Sequence, residues 1–378
     1  MTVERDTRPP RIAGQSDQRL RIALVAPPML PVPPPAYSGT ERVIHALGEE
    51  LHRRGHRVTL VAAGDSDVPY ELVPTVERSL WSTAYEGDIA SYMQHTAGVA
   101  WRVADRFDIV HSHLENHTFL LARHCRTPVV TTMHGRLDTA GMPELLDEFA
   151  DVPLVAISES QRRWNPNQNW VATIHHGLPL AAMPFGPQPG TYLAFVGRVA
   201  AEKGVAEAIE LSRATGYTLR AAAKVLEPGE IDLYREIVEP AEKQGLVEFL
   251  GELGSDERDP LLAGALATVM LGGWPEPFGL VAIESLATGT PVIARRAGAL
   301  TETIEHGVDG FLVDDVQEAI LAVERVGDLD RAAIRRRAIE RFSPERMVDE
   351  YEAVYRRLIE GRSSRPGNGH GPSSALAR

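Results

Sequence analysis

The 378-residue chain has one cysteine, Cys125. It can form neither an internal disulfide nor a cysteine-based metal site, which fits a reducing cytoplasm. It lacks the run of about 18 uncharged apolar residues that a membrane-spanning helix needs. The longest candidate, Leu261 to Gly273, is shorter and reads as a core segment. Positive charge is in deficit: 39 Lys and Arg stand against 52 Asp and Glu, a net −13. A protein that grips nucleic acid by its phosphates needs a concentrated basic face, so this balance argues against that class. No G-x-G-x-x-G follows the first apolar run, which argues against a dinucleotide-dependent oxidoreductase. There is no internal repeat. Residues 1–19 lack the apolar stretch of a secretory signal and read as a flexible leader. The Gly/Ser/Pro-rich segment 361–378 reads as a disordered tail.

What remains is ordinary for a soluble globular protein, and its length suggests two domains. Leu20–Pro27 is a short run of branched residues suited to a buried parallel strand. A proline-rich loop leads to a helical pattern from Thr40 to about Arg54, and Val58–Ala62 is the next strand. Further strands are predicted at 109–111, 129–132 and 154–157. A second half follows a loose, proline-rich stretch at 178–190. Its strands are predicted at 192–196, 219–224, 247–249, 268–271 and 291–294, with helices at 205–215, 230–244, 259–265, 279–286 and 300–305. A last amphipathic helix fits 344–360. Alternation of this kind makes a doubly wound α/β chain, two Rossmann-like domains facing across a cleft. Ligands in such sheets sit beyond the carboxyl ends of the strands, so the loops there carry function.

Three loops stand out. Gly39 follows the first strand and opens a helix, where a ligand can approach the backbone and an anion is favoured. Gly197 to Gly204 (G-R-V-A-A-E-K-G) puts Arg198 and Lys203 at a strand's carboxyl end, where two cations can bracket a diphosphate. A solvated loop with an Arg–Glu pair would read the same way. Trp274 to Glu284 (W-P-E-P-F-G-L-V-A-I-E) places Glu276 in a loop and Glu284 within the next helix. The junction leaves the amides of Phe278, Gly279 and Leu280 without helical partners. Carboxylates bind vicinal hydroxyls well, as on a ribose or a sugar ring.

In this order, the three loops resemble those of the family 4 retaining glycosyltransferases of GT-B fold, over roughly residues 20–360. The resemblance implies an acceptor domain at 20–177, a linker at 178–190, a nucleotide-sugar domain at 191–342, and a helix at 343–360 returning to the first domain. It implies catalytic roles for Glu276, His134, Arg198 and Lys203, with the two cations neutralising the leaving diphosphate and Glu276 holding sugar hydroxyls rather than acting as nucleophile. It implies donor contacts from Gly39, Phe278, Gly279, Leu280 and Glu284, the last on the ribose. Ser38 and His113 are weaker candidates for the acceptor side.

The implied reaction moves a hexose, with retention, from a nucleotide-diphosphate sugar, UDP- rather than GDP-linked, to a hydroxyl acceptor, and needs no metal or other cofactor. A nucleotide-sugar 2-epimerase on the same fold and a non-catalytic nucleotide-sugar-binding protein are the alternatives. Three positions depart from the family pattern: Ser38-Gly39 stands for Gly-Gly, Gly272-Gly273 for Pro-Ser, which predicts a looser turn before Trp274, and His176-Gly177 for Asn-Gly. The basic stretch Arg331 to Arg341 reads as a solvated face, with contact to an anionic membrane surface as the other reading.

Overall fold

The computed structural model describes residues 19–35, 38–83 and 87–363. Apart from Arg19 and residues 361–363, the expected leader and tail lie outside the described residues. Among the described residues, no helix is long and apolar enough to cross a membrane.

The chain forms two sheets with helices on their faces. The first holds β1 (Arg21–Val25), β2 (Arg57–Ala62), β3 (Glu71–Pro74), β4 (Ile109–Ser112), β5 (Val129–Thr132), β6 (Leu154–Ala156) and β7 (Trp170–Thr173). Their spatial order is β3-β2-β1-β4-β5-β6-β7, and every pairing is parallel. The second holds β8 (Tyr192–Arg198), β9 (Thr218–Lys224), β10 (Val247–Gly251), β11 (Ala267–Met270), β12 (Val292–Arg295) and β13 (Gly310–Val313). Their order is β10-β9-β8-β11-β12-β13, again all parallel. Central strands such as β1, buried from Ile22 to Val25, are covered on both faces, which is why they read as continuous apolar runs.

The chain order reverses beside β1, which lies between β2 and β4, and beside β8, which lies between β9 and β11. Crevices form at such switch points. The loops that leave β1, β8 and β11 are the three singled out by their sequence.

The helix Pro344–Ser363 leaves the second domain and packs on the first. Tyr351 and Tyr355 are buried, their hydroxyls 2.8 Å from Thr132 Oγ1 and 2.7 Å from His111 Nδ1. On the same helix the Glu352 carboxylate lies 3.0 Å from His56 Nε2 and 3.3 Å from an Arg54 Nη1. Burial alone would raise the Glu352 pKa, but the hydrogen bonds of His56 and Arg356 and the Arg54 charge hold it at about 2.

Two readings of the sequence need correcting. The 178–190 stretch is packed rather than loose. Leu178, Leu180 and Met183 are buried, and the Gly186 amide donates to the Thr288 carbonyl at 2.9 Å. The basic helix Arg331–Arg341 is not a solvated face, because four of its arginines serve as internal anchors. The buried Arg331 donates to the carbonyls of Gly186, Ala263 and Ala265 and to Thr290 Oγ1. Arg335 reaches the Ala181 carbonyl at 2.9 Å, and Arg337 and Arg341 each reach Asp309 at 3.0 Å. Guanidinium forks can satisfy several carbonyls at once, so cations reinforce the packing that the buried Ile334 and Ala338 give this helix.

Candidate active site

A cavity of about 370 Å³ lies between the carboxyl ends of the two sheets. That is the size of a small-molecule site. Ser38, Gly39 and Thr40 reach it from the loop after β1, and His134 from the end of β5. Arg198 and Lys203 reach it from the loop after β8, and Glu276 with Phe278, Gly279 and Leu280 from the loop after β11. The two domains therefore face one space, with a cationic side and a carboxylate on the second domain and a helix start and a histidine on the first.

The β8 loop is fixed by a close backbone crossing. A Cβ placed on Gly272 would lie 2.0 Å from the Glu202 carbonyl, so only glycine fits there. Gly272 thus lets the loops after β8 and β11 touch before Trp274, whereas Gly273 has open space around it. Gly279 has φ +86 and opens the helix Leu280–Ala287. A left-handed residue at that position turns the chain so that the first-turn amides face the cavity end of the helix, where the dipole favours negative charge.

Each cation has a carboxylate partner. Lys203 Nζ is ion-paired with Glu276 Oε1. Arg198 pairs with Glu230 and lies 2.8 Å from Glu202 Oε1. Glu276 is held through its backbone as well, since its carbonyl accepts from the Ala299 amide at 2.9 Å. The Lys203–Glu276 pair joins the loop after β8 to the loop after β11, so one ionic contact orients both side chains at the cavity wall.

His134 is half-buried at the cavity wall, and desolvation pushes its pKa down to about 4, so the ring is neutral near pH 7. A neutral imidazole offers one donor and one acceptor. His113 Nδ1 lies 2.9 Å from His134 Nε2, and the His176 ring stacks on the other side with centroids 5.2 Å apart. The backbone amides of His134 and Gly135 donate to Glu115 Oε1 at 2.8 and 3.1 Å. Glu115 has φ +51, alone among the described non-glycine residues in the left-handed region. Strain of this kind collects where a side chain must be held in place. Burial raises its pKa to about 7 against the pull of those two amides.

Three predicted residues, His113, Ser38 and Glu284, sit differently from their expected roles. His113 is 1% exposed and stands behind His134, so it does not line the cavity. Its ring is covered by His111, which the returning Tyr355 covers in turn. Ser38 does line the cavity, but its hydroxyl is engaged by the Glu41 carboxylate. Phe278, singled out for its amide, also lines the cavity, and its ring is packed edge-on against His176 and Phe342. Glu284 is fully buried, one turn inside the helix from the Leu280 that lines the cavity, and is ion-paired with Arg42 and Arg258.

Sequence reasoning missed Lys224, His176 and the cavity role of Trp274, all of which line the space. Lys224 ends β9 directly beside Arg198 on β8, so a cation at the end of the neighbouring strand was a usable signal. The Trp274 indole lies under the Arg136 guanidinium, 4.3 Å from its carbon to the ring centroid, which bridges the two domains.

Residues 37–177 match Glycosyltransferase Family 4, and residues 186–341 match Glycosyl transferases group 1. The chain is 26% identical over 422 residues to the D-inositol 3-phosphate glycosyltransferase of Mycolicibacterium smegmatis, covering 92% of this chain and 94% of that protein. Among solved structures it resembles AviGT4, a glycosyltransferase involved in avilamycin A biosynthesis, at 25% identity and TM-score 0.68, covering 90% of this chain and 98% of that one. It shares its fold with Anabaena Alr3699/HepE, crystallised with UDP and glucose, at 17% identity and TM-score 0.69, covering 90% and 100% of the two chains. Two consecutive family matches on two facing Rossmann-like domains make this chain a glycosyltransferase of family 4, with the GT-B fold.

Proposed function

We propose that the protein transfers a hexose, with retention, from a nucleotide-diphosphate sugar, preferably a UDP-sugar, to a hydroxyl acceptor. The observation that carries this reading is the joining of Arg198, Lys203 and Glu276 in one cavity opposite His134. The cations and the amides of Phe278, Gly279 and Leu280 take the diphosphate, with the start of the Gly39 helix on the opposite wall. They stabilise charge that grows as the bond between the anomeric carbon and the phosphate oxygen breaks, which is where preorganised donors contribute most. Glu276 accepts from sugar hydroxyls. The acceptor enters on the His134 side, its oxygen bonds to the anomeric carbon on the face the phosphate leaves, and its proton passes to the departing phosphate oxygen. Glu276 stays unmodified, unlike the nucleophile of a retaining glycosidase. The bound UDP and glucose of HepE support the choice of donor.

The test is the slow hydrolysis of UDP-glucose, UDP-galactose and UDP-N-acetylglucosamine by the purified protein, followed by proton NMR. Water then serves as acceptor, and the first sugar released from the accepted donor is expected as the α-anomer. Release of the β-anomer would overturn retention. Binding of a UDP-sugar with no turnover, even when soluble hydroxylated acceptors are supplied, would favour the non-catalytic alternative.

A further inference from the structure

The helix Gly39–Arg53 of the first domain and the helix Leu280–Ala287 of the second begin side by side at the cavity. A Cβ on Gly39 would lie 3.1 Å from Leu280 Cδ1. Residues three or four apart share a helix face, so Arg42 continues from Gly39 and Glu284 continues from Leu280. The two meet one turn below the cavity: Arg42 Nη1 donates to Glu284 Oε1 across the domain boundary. The Glu284 side chain is fully buried there, whereas that of Arg42 keeps 21% exposure.

The two carboxylate oxygens of Glu284 differ. Oε1 takes Arg42 and lies 3.3 Å from Arg258, whose guanidinium also grips Asp259 at 2.7 Å. Oε2 is buried and has no hydrogen-bond partner among the described residues. A buried carboxylate oxygen without a donor is costly, and such groups call for a ligand or a solvent partner. One of the two cations on Oε1 comes from the other domain, so the orientation of this carboxylate depends in part on the two domains being together.

We propose that Arg42 is a positioning residue for nucleoside recognition: by holding Glu284 Oε1 from across the cleft it leaves Oε2 to a ribose hydroxyl and ties ribose recognition to the closed arrangement of the domains. This rests on the nucleotide-sugar reading above. It adds to the first domain, beside the start of the Gly39 helix, a share in ribose recognition. Arg42 itself touches neither sugar nor phosphate, and its effect passes through Glu284.

The experiment titrates UDP, 2′-deoxy-UDP and 3′-deoxy-UDP into the wild type, Arg42→Ala, Arg42→Lys and Glu284→Gln. The wild type is expected to prefer UDP over at least one deoxy form by about tenfold, the scale of one hydroxyl hydrogen bond to a charged group. Arg42→Ala is expected to shrink that preference to about threefold or less while still binding UDP through Arg198 and Lys203, with Arg42→Lys in between. In the Glu284→Gln background, adding Arg42→Ala is expected to change the preference no further. A merely structural role for Arg42 would weaken all three nucleotides alike, and an undiminished ribose preference in Arg42→Ala, or in Arg42→Lys should the alanine variant fail to fold, overturns the inference. A wild type that binds all three equally overturns it too. A wild type that binds none of them instead overturns the nucleotide-sugar reading on which it rests.

Discussion

Replacing Arg198 by alanine is expected to lower kcat/KM at least 100-fold, a loss of about 2.7 kcal/mol of transition-state stabilisation. Arg198 ends β8 at the switch point of the second sheet and presents its fork to the cavity. The side chain is 45% exposed, so removing it leaves no large void. Its buried partner Glu230 keeps the amides of Leu226 and Glu227, at 2.8 and 3.2 Å, so the loop stays anchored. The damage therefore falls on binding and turnover rather than on folding. Arg198→Lys, which keeps the charge and loses the bidentate geometry, is expected to cost about tenfold. Lys203→Ala is expected to cost more than Arg198→Lys, since it also frees Glu276 from its ion pair. Steady-state kinetics with the accepted donor, read beside thermal midpoints, separates the two effects. Unchanged kinetics in Arg198→Ala would remove that residue from the site.

Arg331→Ala is expected to destabilise the second domain by about 3 kcal/mol, and to lower its thermal midpoint by roughly 5–10 °C. The change strips donors from three backbone carbonyls and one hydroxyl, and it removes one of the ties of the 178–190 segment to the domain. Burial pulls the guanidinium pKa down to about 10, which still leaves it charged at pH 7. Arg331→Lys keeps a charge but cannot reach four acceptors in different directions, so it is expected to recover less than half of the loss. Arg336→Ala, on the exposed side of the same helix, is the control and is expected to stay within about 0.5 kcal/mol of wild type. Differential scanning calorimetry on the three variants decides the matter, and equal midpoints for Arg331→Ala and Arg336→Ala would contradict it.

Much of the architecture was legible because central parallel strands carry unmistakable apolar runs. The strands that escaped, β3, β7 and β13, all lie at sheet edges. β3 is Glu-Leu-Val-Pro with both ends exposed, and β13, though buried throughout, is only four residues long and opens on a glycine. Such segments have no continuous apolar signature. The helix predicted at 230–244 is interrupted by a wider turn at Tyr234–Val238. Pro240, just beyond it, lacks an N–H and crowds the carbonyl four residues back, which accounts for the break.

The cavity-facing loops were legible for a different reason, since loops at strand ends announce themselves by glycine and charge. Nine predicted site residues line the cavity: Ser38, Gly39, His134, Arg198, Lys203, Glu276, Phe278, Gly279 and Leu280. His113 and Glu284 do not, and neither placement follows from local sequence. His113 is buried because a helix more than 200 residues later returns over the neighbouring His111. Glu284 meets Arg42 across the boundary between the two domains, 242 residues apart in sequence. Long-range contacts of this sort leave no local pattern, whereas a strand's burial does.

The central claim is that the cavity between the sheets holds a nucleoside diphosphate joined to a hexose. Isothermal titration calorimetry of the purified protein against UDP, GDP, ADP and their glucose, galactose, mannose and N-acetylglucosamine conjugates tests it most directly. The account predicts saturable binding of the UDP series, weaker binding of the other bases, and loss of that binding in Arg198→Ala. Absence of binding to every diphosphate nucleotide in the panel would contradict it.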